Sequence, residues 1–158
     1  LGAIIGVELT KKLLKEKRAT GDLFVYALLL AMMIGRVGCL LTGVSDHTVG
    51  VESSLPWAFD QGDGLPRHPT SLYEMLFLGI LWIVLLKIEK KEILQSGALF
   101  KIFITSYLLF RFAIEFIKPM NPLLLGLSSI QLASLIGLVY YFVIIYRDRL
   151  VKNGKDHH

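Results

Sequence analysis

The sequence predicts an all-α fold: a single membrane domain over residues 1–158, a polytopic helix bundle with four complete spans behind an N-terminal partial helix. Composition is the first observation behind that prediction. Of 158 residues, 54% are hydrophobic and 19% charged, with a mean hydropathy of +0.59; soluble domains average about 45–50% apolar and about 25% charged. The second is a set of four apolar runs, Asp22–Val44, Ser71–Lys87, Gly97–Lys118 and Ser128–Tyr146, near the roughly 20 residues that a helix rising 1.5 Å per residue needs to cross a bilayer. The third is the placement of basic residues. Lys11, Lys12, Lys15, Lys17 and Arg18 precede the first run, Lys87, Lys90 and Lys91 follow the second, and Arg147, Arg149, Lys152 and Lys155 follow the last. Loops rich and poor in Lys/Arg therefore alternate, as the positive-inside rule requires. The net charge of +4 thus belongs to topology, and nucleic acid is set aside as a partner. A lone cysteine rules out a disulfide scaffold.

Taken in order, Leu1–Val7 is apolar but covers about half a bilayer. It is expected to be the end of another helix, with residues 1–158 the C-terminal portion of a longer chain. No charged region or small-residue cleavage site marks it as a signal peptide. Residues 45–70 form the one long connection, expected on the extracytoplasmic side of the membrane and structured, since long connections are usually functional. Trp57 is expected to anchor it at the membrane–water boundary, where aromatic rings are favoured. Ser71-x-x-Glu74 opens the second run and reads as a capping box. Ser71 and Glu74 are therefore expected to be structural. On the last run, Gln131 and Ser134 share a face with Gly137 on the next turn, a pattern of interhelical packing and hydrogen bonding. Residues 147–158 are expected to be a cytoplasmic tail.

Ionisable groups inside spans cost about 2.5–3.5 kcal/mol each near the bilayer centre, so they carry the functional information. Lys101 lies near a helix end and is free to snorkel. Arg36 sits in Gly35-Arg-Val-Gly38, where glycines on both sides admit a close helix or ligand. It is read either as a ligand-binding group or as a structural arginine. Arg111 shares a helical face with Tyr107 and Glu115 at i−4 and i+4. Glu115 is read as structural, pairing with Arg111 to pin two helices; Arg111 itself is read as functional. A guanidinium offers a fork of donors to phosphate and stays charged when desolvated. Two arginines on the outer halves of different spans therefore suit a phospholipid headgroup, in an enzyme or in a lipid-binding protein. His68 lies near the interface and is read as a catalytic candidate or an incidental loop residue. Cys39 reads as a small packing residue. No metal-ligand cluster is visible, and no cofactor is expected.

Four segments in order, Gly35-Arg-Val-Gly38, Arg67-His-Pro-Thr-Ser-Leu-Tyr-Glu74, Phe110-Arg-Phe-Ala-Ile-Glu-Phe116 and Leu127-Ser-Ser-Ile-Gln131, resemble the bacterial prolipoprotein diacylglyceryl transferases. Gly2-Ala-Ile-Ile-Gly6 is similar to that family's His-Gly-Gly-Leu-Ile-Gly segment. The resemblance implies a multi-pass protein of the cytoplasmic (inner) membrane, and the alternation of Lys/Arg places its C-terminus inside. It implies transfer of diacylglyceryl from phosphatidylglycerol to the lipobox cysteine thiol of a preprolipoprotein signal peptide. The alternative is a catalytically altered paralogue that binds phospholipid. On this resemblance Arg36, with Gly35 and Gly38, holds the phosphate. Arg111 stabilises leaving phosphate or thiolate, Tyr107 hydrogen-bonds that cluster, and His68 completes the catalytic candidates. The chain departs from the family pattern at Cys39 and Thr42, where asparagines are usual, and at Val44, where glutamate is usual. Leu1 stands at the family's histidine position and Lys118 at a common arginine.

Overall fold

The computed structural model of the chain describes residues 21–46, 49–91, 96–119 and 126–155. The apolar start, the basic group at 11–18 and the histidine-equivalent Leu1 lie outside the described residues. Four helices dominate the described residues: α1 (Gly21–Thr42), α2 (Thr70–Lys91), α3 (Ala98–Ile114) and α4 (Ser129–Lys155). A 3-10 turn, Gly43–Asp46, extends α1, and another, Glu115–Ile117, extends α3. The only strands among the described residues are β1 (Phe59–Asp60) and β2 (Pro66–Arg67), a two-residue antiparallel pair in the long connection.

The span count differs from the sequence expectation. Among the described residues three helical segments, Gly21–Ser45, Thr70–Lys91 and Ser129–Arg147, are long and apolar enough to cross a membrane. The expected third span is shorter, because α3 tightens from α-helix to 3-10 at Glu115. That break is where the buried carboxylate must reach Ser128 Oγ, at 3.0 Å from Glu115 Oε1. The last helix runs longer than expected, continuing through Lys155 instead of ending at Tyr146.

The core explains where the site falls. Val25 and Leu29 of α1, Leu78, Leu81 and Leu85 of α2, and Leu99 and Phe103 of α3 form one buried cluster. Their i, i+3, i+4 and i+7 spacing defines one inward stripe on each helix. Extended toward the long connection, those stripes reach Arg36 on α1, Glu74 on α2, and Tyr107 and Arg111 on α3. The polar site is thus the upper end of the hydrophobic core. On the other side of α1, Leu23, Leu30, Ile34 and Leu41 are exposed, as a lipid-facing stripe must be. Helix α4 packs on α3, where a Cβ at Gly137 would stand 2.8 Å from Leu108 Cδ1; glycine there lets the two backbones approach.

The opposite end is fastened by a cap shared between helices. Asp22, in the first turn of α1, accepts Gly97 N–H at 2.6 Å and Phe100 N–H at 2.7 Å at the start of α3. Gly97 has φ 86° and supplies no side-chain cap of its own, so the orphan donors of α3 depend on Asp22. Asp22→Ala is expected to cost about 1–2 kcal/mol, read as a lowered Tm of the detergent-solubilised protein. Asp22→Asn, which keeps one acceptor, should recover part of it.

The long connection is an ordered strap. Gly50 N–H donates to His68 O (3.1 Å), Val51 N–H to Ile117 O (2.9 Å), and Ser53 N–H to Pro66 O (2.9 Å). Its hairpin turn is built on Asp60 Oδ1, which accepts the N–H groups of Gly62, Asp63 and Gly64 at 2.8–3.0 Å. Those donors favour the carboxylate and hold Asp60 below its ordinary 3.8. Because the native pKa is depressed, the turn's stabilisation is present above 3.8 and is lost as pH falls through the lower native value. Protease cleavage of residues 59–67 should therefore rise only in strong acid, and Asp60→Asn should make it independent of pH there.

Candidate functional site

Arg36, Glu74, Tyr107 and Arg111 come from three helices and meet. Glu74 Oε2 lies 2.9 Å from Arg36 Nε and 3.2 Å from Arg111 Nη1, and Tyr107 Oη donates to Glu74 Oε1 at 2.8 Å. The Glu74 side chain is 3% exposed, those of Arg36 and Arg111 18% and 13%. A carboxylate so buried is tolerated only with charged or hydrogen-bonded partners, and here all three come from other helices.

This corrects two sequence readings. Glu74 does not close a capping box with Ser71: α2 starts at Thr70, Leu72 N–H and Tyr73 N–H donate to Pro69 O, and both Glu74 oxygens are taken. Nor does Arg111 pair with Glu115, because Arg111 turns to Glu74 and Glu115 accepts Ser128 Oγ. The capping box stands instead at the start of α4. Ser128 Oγ accepts Gln131 N–H at 3.2 Å and Gln131 Oε1 accepts Ser128 N–H at 2.9 Å. Gln131 is fully buried, and there it caps its own helix. The signal was legible, since Ser-x-x-Gln before an apolar run is the same pattern.

The two arginines open onto a cavity of about 750 Å³ at the strap end of the bundle. Its wall carries four cationic side chains, Arg36, Arg67, Arg111 and Lys118, with Glu115, Val44, Val49, Pro119 and residues Ser128 to Ile130. Arg67 is held by Asp63 at 2.6 Å and by Gly50 O at 3.4 Å. Three or more cations around a half-open space attract anions by summed potential, and the N-terminal turn of α4 adds its dipole to the wall.

Other predicted residues fall elsewhere. His68 is not in the cavity wall: its Nδ1 lies 3.1 Å from Tyr73 Oη, which accepts Trp57 Nε1–H at 2.7 Å. Trp57 is 56% exposed, tied to the first turn of α2. Gly35 and Gly38 were expected to admit a close neighbour, yet a Cβ on either would meet nothing within 4 Å. Among the described residues no helix packs on them. Cys39 Sγ accepts Arg36 Nη1 at 3.6 Å. Thr42 Oγ1 donates back to Gly38 O at 2.9 Å, so its hydroxyl is spent within α1. No group of His, Cys, Asp and Glu suited to a metal ion occurs among the described residues.

Fold and site together define a multi-pass membrane protein with a cationic cavity at one end of its bundle. Residues 1–147 match the prolipoprotein diacylglyceryl transferase family, and the chain belongs to that family. It is 32% identical over 146 residues to the phosphatidylglycerol–prolipoprotein diacylglyceryl transferase of Bordetella parapertussis, covering 85% of this chain and 55% of that protein. The proteins of the same name from Glaesserella parasuis and Mannheimia succiniciproducens are 29% and 30% identical. Those alignments cover 95% and 97% of this chain, and 59% and 60% of those proteins. The chain thus spans little more than half the length of these relatives. No solved structure matches it.

Proposed function

We propose that the cavity binds the phosphate of phosphatidylglycerol, and that the protein transfers diacylglyceryl to the lipobox cysteine of a preprolipoprotein at the outer face of the bacterial inner membrane. The observation that carries this reading is the convergence of Arg36 and Arg111 on a half-open cavity at the end of the bundle away from Lys90 and Lys91. By the positive-inside rule that end faces outward. In the reaction the thiol first gives up its proton, since the thiolate is the nucleophile; the proton passes through interfacial water, from which the departing phosphate takes it up. Its sulfur attacks the glyceryl carbon, the S–C bond forms, and the C–O bond to phosphorus breaks with its electron pair passing to oxygen. Glycerol phosphate leaves. Negative charge grows on that phosphate, where preorganised cationic donors lower the barrier. Arg36 and Arg111 supply the donors, and Tyr107 steadies the carboxylate that holds them. The reading gives no step to His68, whose ring is engaged by Tyr73.

A second reading has its own observation. Where the family usually carries glutamate and asparagine, Val44 presents an apolar wall to the cavity and Thr42 is bonded to its own helix. A protein that keeps the phosphate clamp without the proton-handling groups would bind phospholipid and leave it intact. The two readings separate in one assay: membranes containing the protein receive a lipobox peptide, and released glycerol phosphate is measured. Release with formation of a thioether peptide supports the transferase. Phosphatidylglycerol that co-purifies without either product supports the binding protein.

A further inference from the structure

Arg36 and Arg111 converge on a single atom. Glu74 Oε2 takes Arg36 Nε at 2.9 Å and Arg111 Nη1 at 3.2 Å, so those two nitrogens stand at most about 6.1 Å apart. Each guanidinium keeps further N–H groups for a ligand. Without the carboxylate two buried like charges would repel at that separation. Glu74 therefore sets both the spacing and the charge of the pair. Two arginines and one carboxylate leave a single positive charge. The wider wall gives the same balance among the described residues: Arg36, Arg67, Arg111 and Lys118 stand against Glu74, Asp63 and Glu115. One positive charge is in excess.

We propose that Glu74 tunes this clamp to a singly charged phosphodiester and against retention of a phosphate monoester. The inference rests on the phosphate reading of the cavity given above. A diester carries one negative charge and neutralises the excess. A monoester carries about −1.5 to −2 near pH 7, so it brings surplus negative charge beside Glu74 and Glu115. Substrate is held and product is expelled by the same carboxylate. Glu74 is a positioning residue: it reaches the ligand only through the arginines.

The test is equilibrium binding of two soluble probes, glycerophosphoglycerol and glycerol phosphate, to the full chain in phosphatidylcholine nanodiscs. In Glu74→Gln the excess rises to two positive charges, while the side chain keeps its length and an acceptor for Tyr107. The affinity ratio should then move toward glycerol phosphate by about tenfold or more, and Glu74→Asp should keep the wild-type ratio within about twofold. Equal loss of both affinities in Glu74→Gln, with the ratio unchanged, overturns the proposal and leaves Glu74 a structural support. If the wild-type protein binds neither probe, the phosphate reading itself falls, and the proposal with it. Should Glu74→Gln fail to fold, the wild-type protein still decides. Its affinity for glycerol phosphate should weaken as pH rises through the phosphate's second ionisation near 6, and strengthening there overturns the proposal.

Discussion

Arg36→Ala and Arg111→Ala are each expected to reduce glycerol phosphate release by at least about 100-fold, the usual loss when one preorganised donor to a developing oxyanion is removed. Both should fall further than that figure suggests, because each arginine is also a counter-ion. Removing either leaves Glu74, 3% exposed, with one cation in place of two, and unpairing a buried charge costs about 3–5 kcal/mol when no partner remains. The double variant leaves Glu74 with no cation and should lose stability as well as activity, while its activity loss should fall short of the product of the two single losses, since the pair acts through one carboxylate and such effects are non-additive. Arg→Lys at either position should not rescue, because an ammonium cannot serve Glu74 and a phosphate with a rigid fork of donors. Release of glycerol phosphate by membranes given a lipobox peptide measures all of these. Activity within about threefold of wild type in either alanine variant would remove that arginine from the site.

Gly50→Ala is the second large effect, and it acts on the strap instead of the charges. A Cβ at Gly50 would stand 2.4 Å from His68 Cβ, 2.8 Å from His68 O and 3.1 Å from Ile117 O. Two of those atoms are backbone carbonyl oxygens with fixed partners: His68 O takes Gly50 N–H, and Ile117 O takes Val51 N–H. No side chain at that crossing is free to move aside. Overpacking costs about 1–3 kcal/mol where side chains adjust, and here the backbone must shift as well. Val49 lines the cavity and Gly50 O accepts Arg67 Nη1, so the shift reaches the site. The variant should show rapid proteolysis within residues 49–67 and near-complete loss of ligand binding, while the helix content by circular dichroism stays close to wild type.

How much of this was legible in sequence differs residue by residue. Arg36 and Arg111 stood out because a charge inside an apolar run carries a cost that only function or pairing offsets. Glu74 was hidden by its neighbours. Ser71-x-x-Glu74 satisfies the local capping pattern, but the pattern cannot see two guanidinium groups arriving from other helices, and a buried ion pair outweighs an N-terminal cap. The same pattern at Ser128 and Gln131 lies at a true helix start and does form the box. All four runs read as spans by length and apolarity, and three of them match helices long and apolar enough to cross a membrane among the described residues. The shortening of α3 was not legible, because it depends on Glu115 reaching Ser128 across a chain separation of 13 residues. Asp22 capping α3 from 75 residues away is equally beyond any local signal.

The three inward stripes that climb from the hydrophobic core to Arg36, Glu74 and Arg111 have a consequence for how such a chain changes over time. Each functional side chain sits roughly one or two turns above its last core contact, and one inserted residue swings everything beyond it by about 100°. Substitution on the outward faces leaves that geometry alone; insertion or deletion between core and clamp does not. Lineages of this protein should therefore drift freely in lipid-facing composition while helix length from Leu29 to Arg36, Glu74 to Leu78 and Phe103 to Arg111 stays fixed, with every length change confined to the connections.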